Sequence, residues 1–332
     1  MILGPPEPVR TTESRRRRRF SRIRAATTKR KLIKSRTITT VVAACAALGL
    51  ALTGCSQEAS KDSGSDGDKG TIKIGYISSW SDSRSTAFLL EDQLEKLGYE
   101  PELETISEAA ILYAGVANGD IDIYPSAWPE KTHKQYMDEY GDKIEDISTY
   151  YDKAQNTIVV PDYVDIDSID ELKDNADKFD GKIVGIEPGA GLTKVTKDSM
   201  MPEYGLEKDF ELVTSSTPAM LTELGNAIDA KDDIVVTLWR PFWANNAFDV
   251  KDLKDPKNAM GDPEKMHFLG TEGFSDDFPE ASELIKGIKL DDKTYGELED
   301  LIVNEYEEGQ EGDAVDQWVK DNPKAFDSEI TD

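Results

Sequence analysis

An α/β protein of two lobes is the fold class that this sequence predicts. Strand-like runs alternate with helix-like stripes from residue 71 to about residue 240, and the alternation is gone through twice. A further observation bears on purpose: a tryptophan stands at the end of three of the strand runs, in both passes.

The elements follow in order. Thr71–Ile77 places Ile72, Ile74 and Tyr76 at every second position, the period of a strand. Ala87, Leu90, Leu94 and Leu97 come next at helical spacing, and Gly98 suits the left-handed residue past a helix end. Glu102–Ile106 reads as a strand, Ala109–Ala117 as a helix closed by Gly119, and Ile121–Tyr124 as a strand. Pro129 is placed at the first position of a helix over Pro129–Tyr140, where its missing N–H is no loss. In the second pass Asn156–Val160 is a strand, Ser168–Asp174 a helix and Lys182–Ile186 a strand. Gly189–Lys197 turns into a helix, and Phe210–Val213 is a strand. Thr217-Pro218 opens a helix carrying Met220, Leu221, Leu224 and Ile228, and Asp233–Trp239 is a strand. The last 60 or so residues read as acidic helices.

Charge divides the chain. Its 332 residues hold 39 Lys+Arg against 66 Asp+Glu, a net of −27. Nucleic acid is excluded as the main partner, because binding it needs a basic face over the phosphates. Residues 1–54, with 13 basic and two acidic residues, are net +11, and the remainder is net −38. Arg15 to Arg19, Arg22, Arg24 and the Lys29–Lys34 run precede the apolar stretch Val41 to Leu52. A positive region, a short apolar region and small residues make a secretory signal, and the apolar run is shorter than the ~20 residues a membrane span needs. Leu52-Thr53-Gly54-Cys55 resembles the lipobox of bacterial lipoproteins. That resemblance implies that Cys55 becomes the lipid-bearing first residue and that Cys45 leaves with the signal. Residues 55–70 are then a lipidated Cys and a Gly/Ser-rich flexible tether. Two Cys and two His in all argue against a zinc cluster or a disulfide scaffold; no metal or cofactor is expected.

The tryptophans suggest the ligand. In open α/β sheets ligands bind outside the carboxyl ends of the strands. Trp80 follows the strand run Ile72–Ile77, Trp128 follows Ile121–Tyr124, and Trp239 ends the run from Asp233. A quaternary ammonium carries diffuse charge and cannot donate a hydrogen bond. Aromatic faces suit it, each contributing ~0.5–2 kcal/mol, toward the ~8 kcal/mol of micromolar binding.

Five segments together are similar to the substrate-binding proteins of glycine betaine ABC transporters, the OpuA/ProX-like importers of compatible solutes. They are GYISSW at 75–80, PSAWPEKTHK at 125–134, IVGIEPGAGL at 183–192, TLWRPFW at 237–243 and DLKDPK at 252–257. The resemblance implies a two-lobed periplasmic-binding-protein (type II) fold with a hinge and a ligand cleft between lobes. Residues 1–54 are then the signal, 71–157 the first part of lobe 1, 158–264 lobe 2, and 265–332 the return to lobe 1 with C-terminal helices. It also implies that Trp80, Trp128 and Trp239 cage a trimethylammonium group. His133 and the backbone N–H groups of Gly191 and Leu192 would take the ligand's carboxylate. The protein would be a monomer, held to the outer face of the cytoplasmic membrane by its lipid alone. It would deliver glycine betaine to an ABC permease with its ATPase subunit, for osmoprotection.

Read without the resemblance, several of these residues have plainer meanings. His133, within the charged stretch EKTHKQYMDEY, is a surface histidine. Asp82 is a solvated carboxylate or, as its alternative, a partner for a ligand hydroxyl such as that of choline. Gly185–Gly191 resembles a phosphate loop, but Leu192 stands where a Walker lysine belongs, which excludes ATP. Trp243 and Trp318 read as packing residues, and His267 has no partner pattern. No G-x-S-x-G elbow, reactive Cys or His-rich motif marks an enzyme. The alternatives left open are a choline or carnitine receptor, and an extracellular enzyme or a sensor on the same scaffold.

Overall fold

The structure, a computed structural model, describes residues 69–325. The leader, Cys45, Cys55 and the tether up to residue 68 lie outside the described residues. Among the described residues no helix is long and apolar enough to cross a membrane.

Nine strands are described: β1 (Thr71–Tyr76), β2 (Glu100–Thr105), β3 (Ile123–Ala127), β4 (Ile144–Pro161), β5 (Lys182–Val184), β6 (Glu211–Val213), β7 (Val236–Arg240), β8 (Val250–Asp252) and β9 (Glu264–Thr271). They pair in the order β2-β1-β3-β9-β4-β7-β5-β6, with β8 on β4. Two parallel triplets stand at the flanks, β2-β1-β3 and β6-β5-β7, each with its first strand in the middle. Antiparallel β9 and β4 lie between them. Each triplet is a doubly wound unit, and its crevice opens beyond the carboxyl end of its middle strand.

β4 joins the halves. Its 18 residues pair with β9 as far as Ala154↔Glu264, then with β7 from Gln155↔Arg240 and with β8 from Val159↔Asp252. Only the far part of this strand, Asn156–Val160, shows in the sequence. The near part faces solvent on one side and shifts register three times against β9, which breaks its alternation. β8 and β9 have no counterpart in the sequence reading; the return to the first half therefore starts with a strand and not with helices.

The helices that carry the crevices are built as their sequences suggest. Helix Ser81–Lys96 buries Ala87, Leu90 and Leu94, and Gly98 follows it at φ 88°. Helix Ala109–Asn118 ends on Gly119 at φ 73°, a conformation glycine adopts without strain. Helix Thr217–Ala230 starts with Pro218 in its first turn and Ser216 capping the Ala219 N–H. Two expectations are corrected. Residues 168–174 are not one helix: the segment forms 3-10 turns, Ile169–Glu171 and then Lys173–Phe179. Pro129 does not open a helix, which starts only at Lys134. The carboxylate of Glu264 accepts the backbone N–H groups of Lys131 (3.0 Å) and Thr132 (3.2 Å), and this fixes residues 129–133 as a turn.

The core under β1 leaves no room for added volume. A methyl group on Gly75 would stand 2.5 Å from Leu112 Cδ1 and 2.8 Å from Ile121 Cγ2. Gly75→Ala is expected to lower folding stability by about 1–3 kcal/mol, the usual cost of overpacking, as read by urea denaturation.

Candidate functional site

The four loops that leave β1, β3, β5 and β7 meet between the halves. Trp80 ends the loop after β1, Trp128 follows β3, residues 186–192 follow β5, and Trp239 is the fourth residue of β7. All seven residues singled out in the sequence line one cavity: Trp80, Asp82, Trp128, His133, Gly191, Leu192 and Trp239. It encloses about 330 Å³ of space, part of it continuous with solvent. Thr132, Asn156, Ile186 and Ala190 complete the wall.

Each indole is held differently. Trp239 stacks on Phe242 at 3.9 Å between ring centres and 9° between planes, which covers one face. Its Nε1 is buried without an acceptor among the described residues. Trp128 donates its Nε1–H toward Asp82 Oδ2 (3.4 Å), and Trp80 donates its own to Glu187 Oε2 (3.0 Å). Trp80 also lies near-parallel to the His133 ring, at 6.0 Å and 16°. The outlying tryptophans play other parts. Trp243 packs on the core from the side and donates its backbone N–H to Glu299 (2.8 Å); Trp318, in the last helix, Glu311–Asp321, is fully buried.

His133 is not the surface residue its neighbours suggest. It is buried at the start of helix Lys134–Tyr140. Burial pushes its ring down from 6.5 to about 3, so the ring is neutral near pH 7. Its Nδ1 accepts the Trp128 backbone N–H at 3.1 Å, with the Tyr113 hydroxyl 3.0 Å away. An acceptor at Nδ1 leaves the proton on Nε2, which makes Nε2–H a donor. The expectation failed because charge density along a helix says nothing about its first residue.

Asp82 is likewise buried rather than solvated. Burial raises its carboxyl above 3.8, against the opposing hydrogen bonds from Ser126 (2.6 Å) and Trp128. No lysine or arginine lines the cavity. The cavity wall thus combines aromatic faces, a carboxyl group and uncharged donors.

The second half supplies backbone. Gly191 and Leu192 open helix Gly191–Val195, and no described residue accepts their N–H groups. Gly191 is required by the approach of the halves: a methyl group there would overlap the Thr132 carbonyl oxygen. Thr132 and Asn156 were missed in the sequence. Asn156 sits where β4 passes from β9 to β7, opposite Trp239, and its Nδ2 bonds Thr132 Oγ1 at 2.7 Å. Neither carries a signal in the sequence, since the handover depends on the unrecognised pairing with β9.

Comparison with known proteins identifies a family and solved structures of similar fold. The profile of the family described as the substrate binding domain of ABC-type glycine betaine transport systems matches residues 70–321. A glycine betaine/carnitine transport binding protein of Listeria monocytogenes is 35% identical over 158 residues, 46% of this chain and 50% of its own; the match thus spans about half that relative's length. Among solved structures, the glycine/betaine/L-proline-binding protein ProX from Borrelia burgdorferi superposes with TM-score 0.72 at 34% identity, covering 78% of this chain and 97% of that one. Lactococcal OpuAC in its closed, glycine betaine-bound conformation superposes with TM-score 0.71 at 30% identity, covering 77% and 97%.

The depressed ring of His133 has a thermodynamic consequence. The unfolded chain takes up this proton near 6.5, the folded chain only near 3. His133 therefore draws stability down as pH falls through that interval, by up to about 1.4 kcal/mol per unit. Nitrogen-detected NMR of the ring is expected to show the Nε2–H tautomer unchanged from pH 8 to pH 5.

Proposed function

The chain belongs to the family of substrate-binding domains of ABC-type glycine betaine transport systems, and from that membership we propose that it captures glycine betaine. The observation that carries the reading is the composition of the cavity wall, three indoles and a carboxyl group together with uncharged donors and no cationic side chain. Trp80, Trp128 and Trp239 with Asp82 suit a trimethylammonium group. The Nε2–H of His133 and the open N–H groups of Gly191 and Leu192 suit a carboxylate. Glycine betaine carries both groups, two carbon–carbon or carbon–nitrogen bonds apart, and its binding requires no bond to form or break. The chain is a receptor, and ATP is hydrolysed by the transporter's own ATPase subunit.

Capture works by bridging. Trp80, Trp128 and His133 sit on the half built from β1, β2, β3 and β9; Gly191, Leu192 and Trp239 sit on the half built from β5, β6 and β7. We assign the first half to residues 71–157 and 265–332, and the second to 158–264. A ligand that touches both halves stabilises the arrangement in which they meet, and the permease reads that arrangement. The mature chain begins at lipidated Cys55 and acts as a monomer on the outer face of the cytoplasmic membrane, tethered by residues 55–70.

Asp82 favours a second reading. A buried carboxyl group on the cavity wall is an acceptor for the hydroxyl of choline.

Calorimetric titration separates the two. Betaine is expected to bind with micromolar or better affinity, Trp128→Ala to abolish it, and His133→Ala to weaken it by about ten- to a hundredfold, the worth of a hydrogen bond to a charged group. Choline affinity is expected to ignore His133→Ala; choline binding that exceeds betaine and is lost in Asp82→Ala assigns the second reading. Gly191→Ala is expected to weaken betaine at least as much as His133→Ala, because the halves cannot meet. In cells, Cys55→Ser is expected to end fatty-acid incorporation and release the protein from the membrane fraction.

A further inference from the structure

Glu187 stands behind the cavity, not in its wall, and no part of the capture scheme above uses it. It belongs to the second half, three residues past β5. Four donors reach its carboxylate, and they come in two pairs. Oε1 accepts Ser79 Oγ–H (2.9 Å) and the Thr217 backbone N–H (3.0 Å). Oε2 accepts the Trp80 Nε1–H (3.0 Å) and Thr217 Oγ1–H (2.9 Å). Each oxygen thus takes one donor from its own half and one from the opposite half. None of the four is a cation, and the described residues give Glu187 no ion pair.

We infer that Glu187 is a positioning residue that sets the Trp80 indole in the cage only when the two halves meet. The inference rests on the capture reading above. Thr217 fixes the carboxylate in advance, at the start of helix Thr217–Ala230, so its orientation is settled before the halves close. Ser79 and Trp80 are then the only donors that closure adds. The bond is charge-assisted and stands at the edge of the ring whose face meets the cation. Hydrogen bonding of an indole N–H to an anion also makes the ring more electron-rich, which strengthens its attraction for that cation. Neighbouring contacts agree that this segment is the closing edge: Tyr136 of the first half donates its hydroxyl to the Gly189 carbonyl at 2.6 Å, and Gly191 lies against Thr132.

A merely structural role, capping the helix at Thr217, gives different results from positioning. The test compares Glu187→Gln, Trp80→Phe, their double variant and Thr217→Val by stopped-flow tryptophan fluorescence with betaine, choline and carnitine. Glu187→Gln is expected to speed dissociation by about ten- to a hundredfold, with association changed less than about threefold. Trp80→Phe keeps a ring but loses the N–H, and the double variant is expected to be no worse than the worse single variant. Thr217→Val keeps the backbone N–H but loses the hydroxyl bond to Oε2, and is expected to lower the melting temperature while speeding dissociation less than Glu187→Gln does. Additive losses, or equal effects of Glu187→Gln and Thr217→Val on dissociation, overturn the inference. The Trp80 indole N–H resonance, assigned through Trp80→Phe, reads the bond itself. A shift confined to that resonance in Glu187→Gln supports the inference even where the wild type takes none of the three solutes, an outcome that defeats the capture reading alone. An unmoved resonance overturns the inference whatever the wild type binds.

Discussion

Burying carboxyl groups beside a cavity with no cationic side chain in its wall imposes a condition on the centre of this molecule. No lysine or arginine lines the cavity to neutralise a buried charge there. It must instead be held by neutral donors, since an uncompensated buried charge is costly. Asp82 takes Ser126 and Trp128, and Glu264 takes the Lys131 and Thr132 backbone; Glu187, only half-buried, takes Ser79, Trp80 and Thr217. Glu299 takes Ser81 Oγ–H and the Trp243 backbone N–H; burial and the neighbouring Asp82 raise it well above its usual range, which favours its neutral form. Each group so held also pins a segment at or beside the cavity. The electrostatic condition and the mechanical one are met by the same bonds.

The sheet brings those loops together. Two triplets of the same internal order face one another across β9 and β4, so the carboxyl ends of β1, β3, β5 and β7 converge. Distances in sequence of more than a hundred residues become neighbours without a long loop. Polar reach across the junction is short as well: Trp80 to Glu187, Tyr136 to Gly189 and Asn156 to Thr132 are direct contacts.

Much of the site was legible in the sequence because strand ends mark it. Trp80, Trp128 and Trp239 follow apolar runs, and the Gly189–Leu192 turn shows its glycines. The family resemblance, rather than any pattern, supplied His133. What was not legible depends on partners far along the chain. The Pro129 turn is set by Glu264, which no local signal could reveal. Asn156 matters because β4 changes partners beside it, and the near part of β4 hides among acidic residues and bulges. The burial of His133 and Asp82 likewise follows from loops closing over them, while their own neighbours are charged or polar. Periodicity reports what one element does alone, and each of these features needs two.

The long strand β4 also sets the mechanics. Between the described halves the backbone crosses twice, once along β4 and once over residues 253–263 on the way to β9. A body joined to another at two nearby points keeps one cheap rotation, about the line through them, while sliding and twisting strain both joints. The motion therefore has a single coordinate, an angle, and the ring bonds at the far rim sense it with the longest lever arm. A turn about that line displaces most the contacts that lie farthest from β4 and the 253–263 crossing.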